Sequence, residues 1–396
     1  MKLNKIYSAI LLSTLPLTPA LAAGLDRSGQ SIAAFLQPGN YAEAGITIID
    51  PDVKGKDNIS NSAVADMADD YYFPSAAVKV QATDKISLGL IYDQPYGADA
   101  TYGIENTSFS ETHPVNGVTE GTSVEVKTEN LTALIGFQPT ENWNFYAGPV
   151  WQTVEADIKL RGQAYKNTGY NIKVDTKEAY GWLAGFAYQI PEIALKASLT
   201  YRSEISHDAN STETSNLPIF ASVMPDTNPY KAIYAQKGLK ESKVNATTPQ
   251  SVNLDFQTGV AANTIAFANL RWVHWDQFTV SPEMLKSLGQ DLISYKDDQW
   301  SANVGLGRKF NDKWSGTAMV SYDSGAGNPV TTLGPTEGYW GVGLGAQFSP
   351  TAQTFIQGGL RYMWLGDAHA QTGGTIVGEF KDNTAMAYAM KIGYRF

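Results

Sequence analysis

The feature that most constrains this chain is its closing stretch, "AMAYAMKIGYRF". Met386, Tyr388, Met390, Ile392, Tyr394 and Phe396 alternate there with Ala385, Ala387, Ala389, Lys391, Gly393 and Arg395. Successive side chains of a strand point to opposite faces, so a period of two gives one greasy face and one wet or crowded face. Two such faces cannot lie in the same medium. "EAYGWLAGFAYQ" repeats the pattern, with Tyr180, Trp182, Ala184, Phe186 and Tyr188 sharing a face. "IALKASLTYRSE" opposes Leu195, Ala197, Leu199 and Tyr201 to Lys196, Ser198, Thr200 and Arg202, and "AFANLRWVHW" and "QWSANVGLG" alternate likewise.

Beyond residue 22 no segment reaches the ~18 consecutive apolar residues of a spanning helix. Alternating strands can still cross a bilayer if they close into a barrel, because closure pairs every backbone group. The connections point the same way. Short links with turn residues (81–84, 138–142, 190–192, 260–263, 311–313, 349–351) alternate with long polar ones (53–69, 93–119, 161–175, 207–247, 279–293, 324–334, 367–375). Short turns on one side and long loops on the other are the outer-membrane arrangement. Six short and seven long links join fourteen antiparallel strands, and an even count brings both termini to the periplasmic side. All nine tryptophans fall in the expected strands or at their ends, where aromatic girdles belong. A soluble β-sandwich would also alternate, but it does not require this asymmetry of loops.

The start "MKLNKIYSAILLSTLPLTPALAAG" has two lysines, a short apolar run broken by prolines, and an Ala20-Leu21-Ala22 site, the pattern of a secretory signal peptide over 1–22. Removing Lys2 and Lys5 takes the formal charge from -10 to -12, which argues against a nucleic-acid partner. With no cysteine, neither disulfides nor thiolate metal sites are available. The four histidines lie in separate segments outside any hydrolase motif, so an outer-membrane lipase finds no support; Ser206, His207 and Asp208 are adjacent on an extended chain and point apart. No catalytic residue, metal or cofactor is expected.

Several local motifs resemble the FadL family of outer-membrane transporters for long-chain fatty acids and other hydrophobic compounds. These are Ile49-Asp50-Pro51-Asp52-Val53, Tyr201-Arg202-Ser203-Glu204, Asn216-Leu217-Pro218-Ile219, Trp275-Asp276-Gln277-Phe278, Tyr295-Lys296-Asp297 and Tyr322-Asp323-Ser324, in an order and spacing that cover most of the chain. The resemblance implies a monomeric fourteen-stranded barrel in the bacterial outer membrane, over 41–396, with an N-terminal plug in its lumen. It also implies passive gated uptake of a hydrophobic cargo, a fatty acid or a hydrocarbon, with sideways release through a wall gap at the third strand. A general diffusion porin is the rival; it predicts an open polar lumen and no apolar loop cluster. One departure matters: the plug here spans only residues 23–40 and lacks the family's Asn-Pro-Ala motif.

A carboxylate-headed lipid requires an apolar trough with a cation at its mouth. Leu217, Ile219, Phe220, Val223 and Met224 in "NLPIFASVMP" are the expected trough, and Ile32, Phe35 and Leu36 of the plug are expected to line an inner pocket. Lys296 and Arg161, or Lys159, resemble the family's head-group cations, while Lys196, Arg202, Arg271 and Arg361 are expected to pair with Glu204 and other acids. Pro95 cannot donate to a ladder and Gly97 adds freedom, so "DQPYG" is the candidate lateral gate. The terminal Tyr394 and Phe396 resemble the signal by which barrel-assembly machinery recognises its clients among outer-membrane lipid.

Overall fold

The computed structural model describes residues 25–396. The expected signal peptide lies outside them. Fourteen strands close an antiparallel barrel: β1 (Tyr41–Asp52), β2 (Tyr71–Gln81), β3 (Ile86–Asp93), β4 (Ser123–Phe137), β5 (Trp143–Leu160), β6 (Tyr170–Ile190) and β7 (Leu195–Arg202), then β8 (Ser251–Ala261), β9 (Thr264–Val273), β10 (Gln299–Lys309), β11 (Trp314–Asp323), β12 (Tyr339–Phe348), β13 (Thr354–Leu365) and β14 (Thr384–Arg395). The ring closes where β1 meets β14, from Tyr41 opposite Arg395 to Asp52 opposite Thr384. Lys391 and Glu43 form a lumen-side ion pair across that seam at 2.9 Å. Six short and seven long links join the strands, as the turn residues predict.

Alternation sets the faces. On β14 the lipid side carries exposed Tyr388, Met390, Ile392 and Tyr394, while Ala385, Ala387, Ala389 and Lys391 are buried within. Aromatic clusters ring both edges: Trp143–Tyr188 and Trp314–Phe348 at the short-turn end, Trp272–His274 and Tyr322–Trp340 at the long-loop end. Trp275 departs from the girdle expected of it. It is fully buried inside the rim against Tyr96, Phe278 and Tyr295, and its indole donates to Gln299.

The long links carry more structure than their polarity predicts. Residues 205–214 and 239–248 pair as a hairpin above the rim, and β5 and β6 extend upward beside it. Its inward face, Ile205, His207, Ala209, Ser211 and Glu213, is buried yet mostly polar or small, so a hydrophobic pattern does not reveal it. Three short helices follow: α1 (Leu217–Val223), α2 (Lys231–Ala235) and α3 (Glu283–Ser287). The motifs Trp275–Phe278 and Tyr295–Asp297 lie in the loop between β9 and β10, beyond the strand ends that the sequence suggests for them.

Candidate functional site

Three features divide the lumen along its axis. At the long-loop end, a groove of about 330 Å³ runs between the turn at 163–168, helices α1 and α2, and α3. Its apolar lining includes Tyr165, Leu217, Tyr230, Ile233, Met284 and Leu288. Glu213, fully buried beneath it, accepts from Tyr170 Oη at 2.8 Å and from the Met284 N–H at 3.0 Å, which fixes α3 against the hairpin. Of the expected trough only Leu217 lines this groove. Ile219, Phe220 and Met224 are half-buried elsewhere, and Val223 is 80% exposed. Tyr230, Ile233 and Tyr234 line it outside the expected trough, and their spacing of three and four residues around α2 is the signal that marks them.

Below the groove the lumen is filled by packed apolar side chains, among them Met67, Tyr102, Phe109, Trp275, Tyr295 and Leu333. They leave a cavity of about 50 Å³ bounded by Tyr71, Gly97, Val124, Tyr295 and Leu333, with Leu25 of the plug in its wall. A cavity of that size takes one or two waters' volume, not a lipid, so cargo must part its walls.

The third feature is the plug and the wall it meets. Pairing between β2 and β3 stops at Ala76 opposite Tyr92, although β2 runs on to Tyr71. Pairing of β3 with β4 slips by one residue around Pro95, from Asp93 opposite Asn130 to Gly97 opposite Lys127. Into this break comes the plug backbone: the Arg27 N–H donates to Pro95 O at 2.6 Å and the Gly97 N–H donates to Leu25 O at 2.8 Å. The Arg27 guanidinium lies 4.2 Å from the centroid of Tyr71. A Cβ on Gly97 would come within 2.4 Å of the guanidinium carbon, so a larger residue there would push the Arg27 side chain off Tyr71.

Side-chain bonds tie the plug to the opposite wall. Arg271, fully buried, donates from Nε to Asp26 at 2.8 Å and from Nη2 to Asp26 at 3.2 Å and Gln30 at 3.0 Å. Its Nη1 reaches Asn253, and Asn253 in turn donates to Gly29 O at 2.8 Å. Ser28 donates to Asp93 on β3. Farther down, Ile32 and Phe35 are fully buried against Leu134, Tyr146 and Leu183, and the Phe35 ring occupies a slot left by Gly89 and Gly136. Lys79 and Lys196 donate to the carbonyls of Gln37 at 3.0 Å and Leu36 at 2.7 Å, clamping the plug's last turn. Ile32, Phe35 and Leu36 therefore seat the plug at the short-turn end and none lines the inner cavity.

The cations do not sit as the sequence suggests. Lys296 is exposed and, among the described residues, forms no ion pair; Asp298 instead accepts from Trp272 Nε1 and bonds His274 Nδ1. Arg161 is buried, and its donors go to Glu120, Tyr170 O and Asn171, beside Lys159 on the same glutamate. Neither lines the groove or the inner cavity. Arg271 meets the plug, Lys196 meets backbone, and Arg202 and Arg361 have no carboxylate within ion-pair distance among the described residues, while Glu204 is exposed. His274, Asp276 and Asp298 offer ligand atoms within 4.8 Å of one another. Bonds to Trp272 and within the trio already occupy those atoms and tie the end of β9 to the loop before β10.

A plugged barrel with an apolar outer lumen and a broken wall pairing is an arrangement for greasy cargo. A family model described as "Outer membrane protein transport protein (OMPP1/FadL/TodX)" matches residues 19–396. The chain belongs to this family. A curated relative, the "Long-chain fatty acid transport protein" of Salmonella typhi, is 22% identical over 376 residues, covering 86% of this chain and 81% of that one. Among solved structures, a Pseudomonas aeruginosa FadL homologue aligns with a TM-score of 0.74 at 14% identity, covering 97% of this chain and 98% of its own. The P. putida toluene transporter TodX aligns at 0.64 with 11% identity, covering 96% and 99%. Both share the fold. The family and the barrel place the protein in the bacterial outer membrane.

Proposed function

We propose that the protein admits hydrophobic small molecules, long-chain fatty acids foremost, by passive gated diffusion without a cofactor. Long loops face outward and both termini face the periplasm. Cargo collects in the groove beside α2, parts the apolar packing below it, and leaves sideways between β2 and β3 once the plug withdraws from Pro95 and Gly97. The observation that carries this reading is that break, stoppered by plug backbone and adjoining the inner cavity. Tyr394 and Phe396, stacked and exposed on the lipid face of β14, serve insertion by the assembly machinery.

A neutral hydrocarbon cargo is the second reading. It is favoured by the surroundings of Lys296 and Arg161, the first exposed and outside the lining of either cavity and the second saturated by bonds. Proteoliposome uptake of oleate, hexadecane and glucose tests both. The expected result is saturable uptake of at least one hydrophobic compound with little glucose entry. Free glucose entry without hydrophobic preference would replace the transporter with a diffusion porin.

A further inference from the structure

Arg271 is the point where the plug's charge meets the wall. Its ion pair with Asp26 joins plug to barrel, and both partners are buried, with side chains 2% and 6% exposed. The neighbouring residue, Leu25, faces the other way, packing on the apolar cluster and lining the inner cavity. A carboxylate on the guanidinium and an apolar group in the cavity beside it reproduce the two ends of a carboxylate-headed lipid.

We propose that Arg271 is a carboxylate-reading site in the lumen, and that Leu25 and Asp26 of the plug occupy it as an internal stand-in until a lipid carboxylate takes their place. This rests on the uptake reading above and adds its trigger. Three observations support it. First, the residues that hold the site also stopper the wall: Asp26 bonds Arg271 while the flanking Leu25 O and Arg27 N–H bond Gly97 and Pro95. Loss of the ion pair and loss of the stopper are one movement. Second, two of the three neutral partners of Arg271, Ser251 and Asn253, belong to the wall and stay in place when Asp26 leaves, while Gln30 moves with the plug. Third, Arg202, also buried, has an Nη1 without a partner and lies within electrostatic range of Arg271 and Asp93. Asp93 and Asp255 lie in range of both guanidiniums, and Arg202 keeps the surroundings of Arg271 from being acidic alone.

The charge arithmetic decides which cargo can act. If Asp26 leaves without replacement, a guanidinium stays buried and unpaired, which is strongly disfavoured. An incoming carboxylate keeps the charge balanced, so exchange is nearly isoenergetic where simple departure is not. A neutral lipid cannot make that exchange.

The chain has no cysteine, so Ser28→Cys gives a single reporter at a buried plug position. The full-length variant in liposomes is treated with a maleimide in the presence of oleate or of oleyl alcohol, and uptake of both lipids by the unsubstituted protein is measured in parallel. Oleate should speed labelling by about tenfold or more, and oleyl alcohol by less than about twofold. Adding Asp26→Asn, which preserves shape, should give fast labelling without lipid and no further response to oleate. Equal acceleration by the two lipids, or an Asp26→Asn plug that stays protected and still answers to oleate, overturns the exchange. Absence of uptake of either lipid overturns the transport reading itself, whereas uptake of both with labelling unmoved by oleate overturns the exchange alone.

Discussion

The two ends of the lumen are closed by different physics. At the long-loop end Met67, Tyr102, Phe109, Trp275 and Tyr295 close it by touching one another. At the short-turn end the plug's last turn is held by directed bonds from Lys79 and Lys196 to its carbonyls, and higher up Arg271 and Asn253 hold Asp26, Gln30 and Gly29. Apolar contact is non-directional, so the upper packing can part around a greasy guest and close again behind it. Directed bonds define one position and are lost together. The contrast assigns adaptability to the apolar packing and the decision to open to the bonded plug.

Removing residues 25–38 breaks the comparison most directly. If the plug is the seal, planar-bilayer conductance should rise by roughly tenfold or more over a nearly silent wild type. A deletion that stays silent would show that apolar packing alone keeps ions out. The outer half is sharpened by a pair of substitutions. Ile233 lines the groove and is about half exposed, so Ile233→Ser should weaken capture by about 1 kcal/mol, raising the half-saturation concentration of uptake about fivefold with little change in maximal rate. Val223→Ser, outside the groove, should leave both unchanged, and an equal effect at the two positions would remove the groove from the route.

The smallest effect concerns Glu337, in the loop before β12. Burial, with Asp297 adding to it, pushes this carboxyl up to about 7. Its Oε2 has no partner, while Oε1 accepts from the Gly327 N–H at 3.1 Å. The folded loop thus holds the proton more tightly than an unfolded one, and its stability is greatest below the ordinary glutamate range and declines as pH rises through about 7. Hydrogen exchange over residues 324–338 should quicken from pH 5 to pH 8 beyond the intrinsic rate, and Glu337→Gln should abolish that excess. Protection that grows with pH would reverse the sign.

What the sequence makes legible follows from range. A period of two is local, so the strands, their lipid faces and the count of links can be read from "AMAYAMKIGYRF" and its counterparts. The hairpin at 205–214 and 239–248 escapes because its buried face is His207, Ser211 and Glu213, which carry no apolar signature. Trp275 escapes because strand β9 stops at Val273, so the tryptophan falls in the turn and swings inward. For Arg271, alternation gives the face but not the partner: Asp26 is 245 residues away, and no local pattern ties the two. Lys79 and Lys196 bond backbone carbonyls, which any residue could present. The groove lies between, since Leu217 is visible in its motif while Tyr230, Ile233 and Tyr234 become neighbours only once α2 is wound.

The seam between β1 and β14 bears on time. The ladder from Tyr41–Arg395 to Asp52–Thr384, with Lys391 facing Glu43, joins the two extremes of the described barrel. Until the last strand arrives, the sheet keeps two open edges, each a row of unpaired N–H and C=O groups that lipid cannot satisfy. No earlier strand can relieve them. The closing ladder is therefore the final step of assembly, and an interrupted chain ends as a sheet ready to pair with whatever strand it meets.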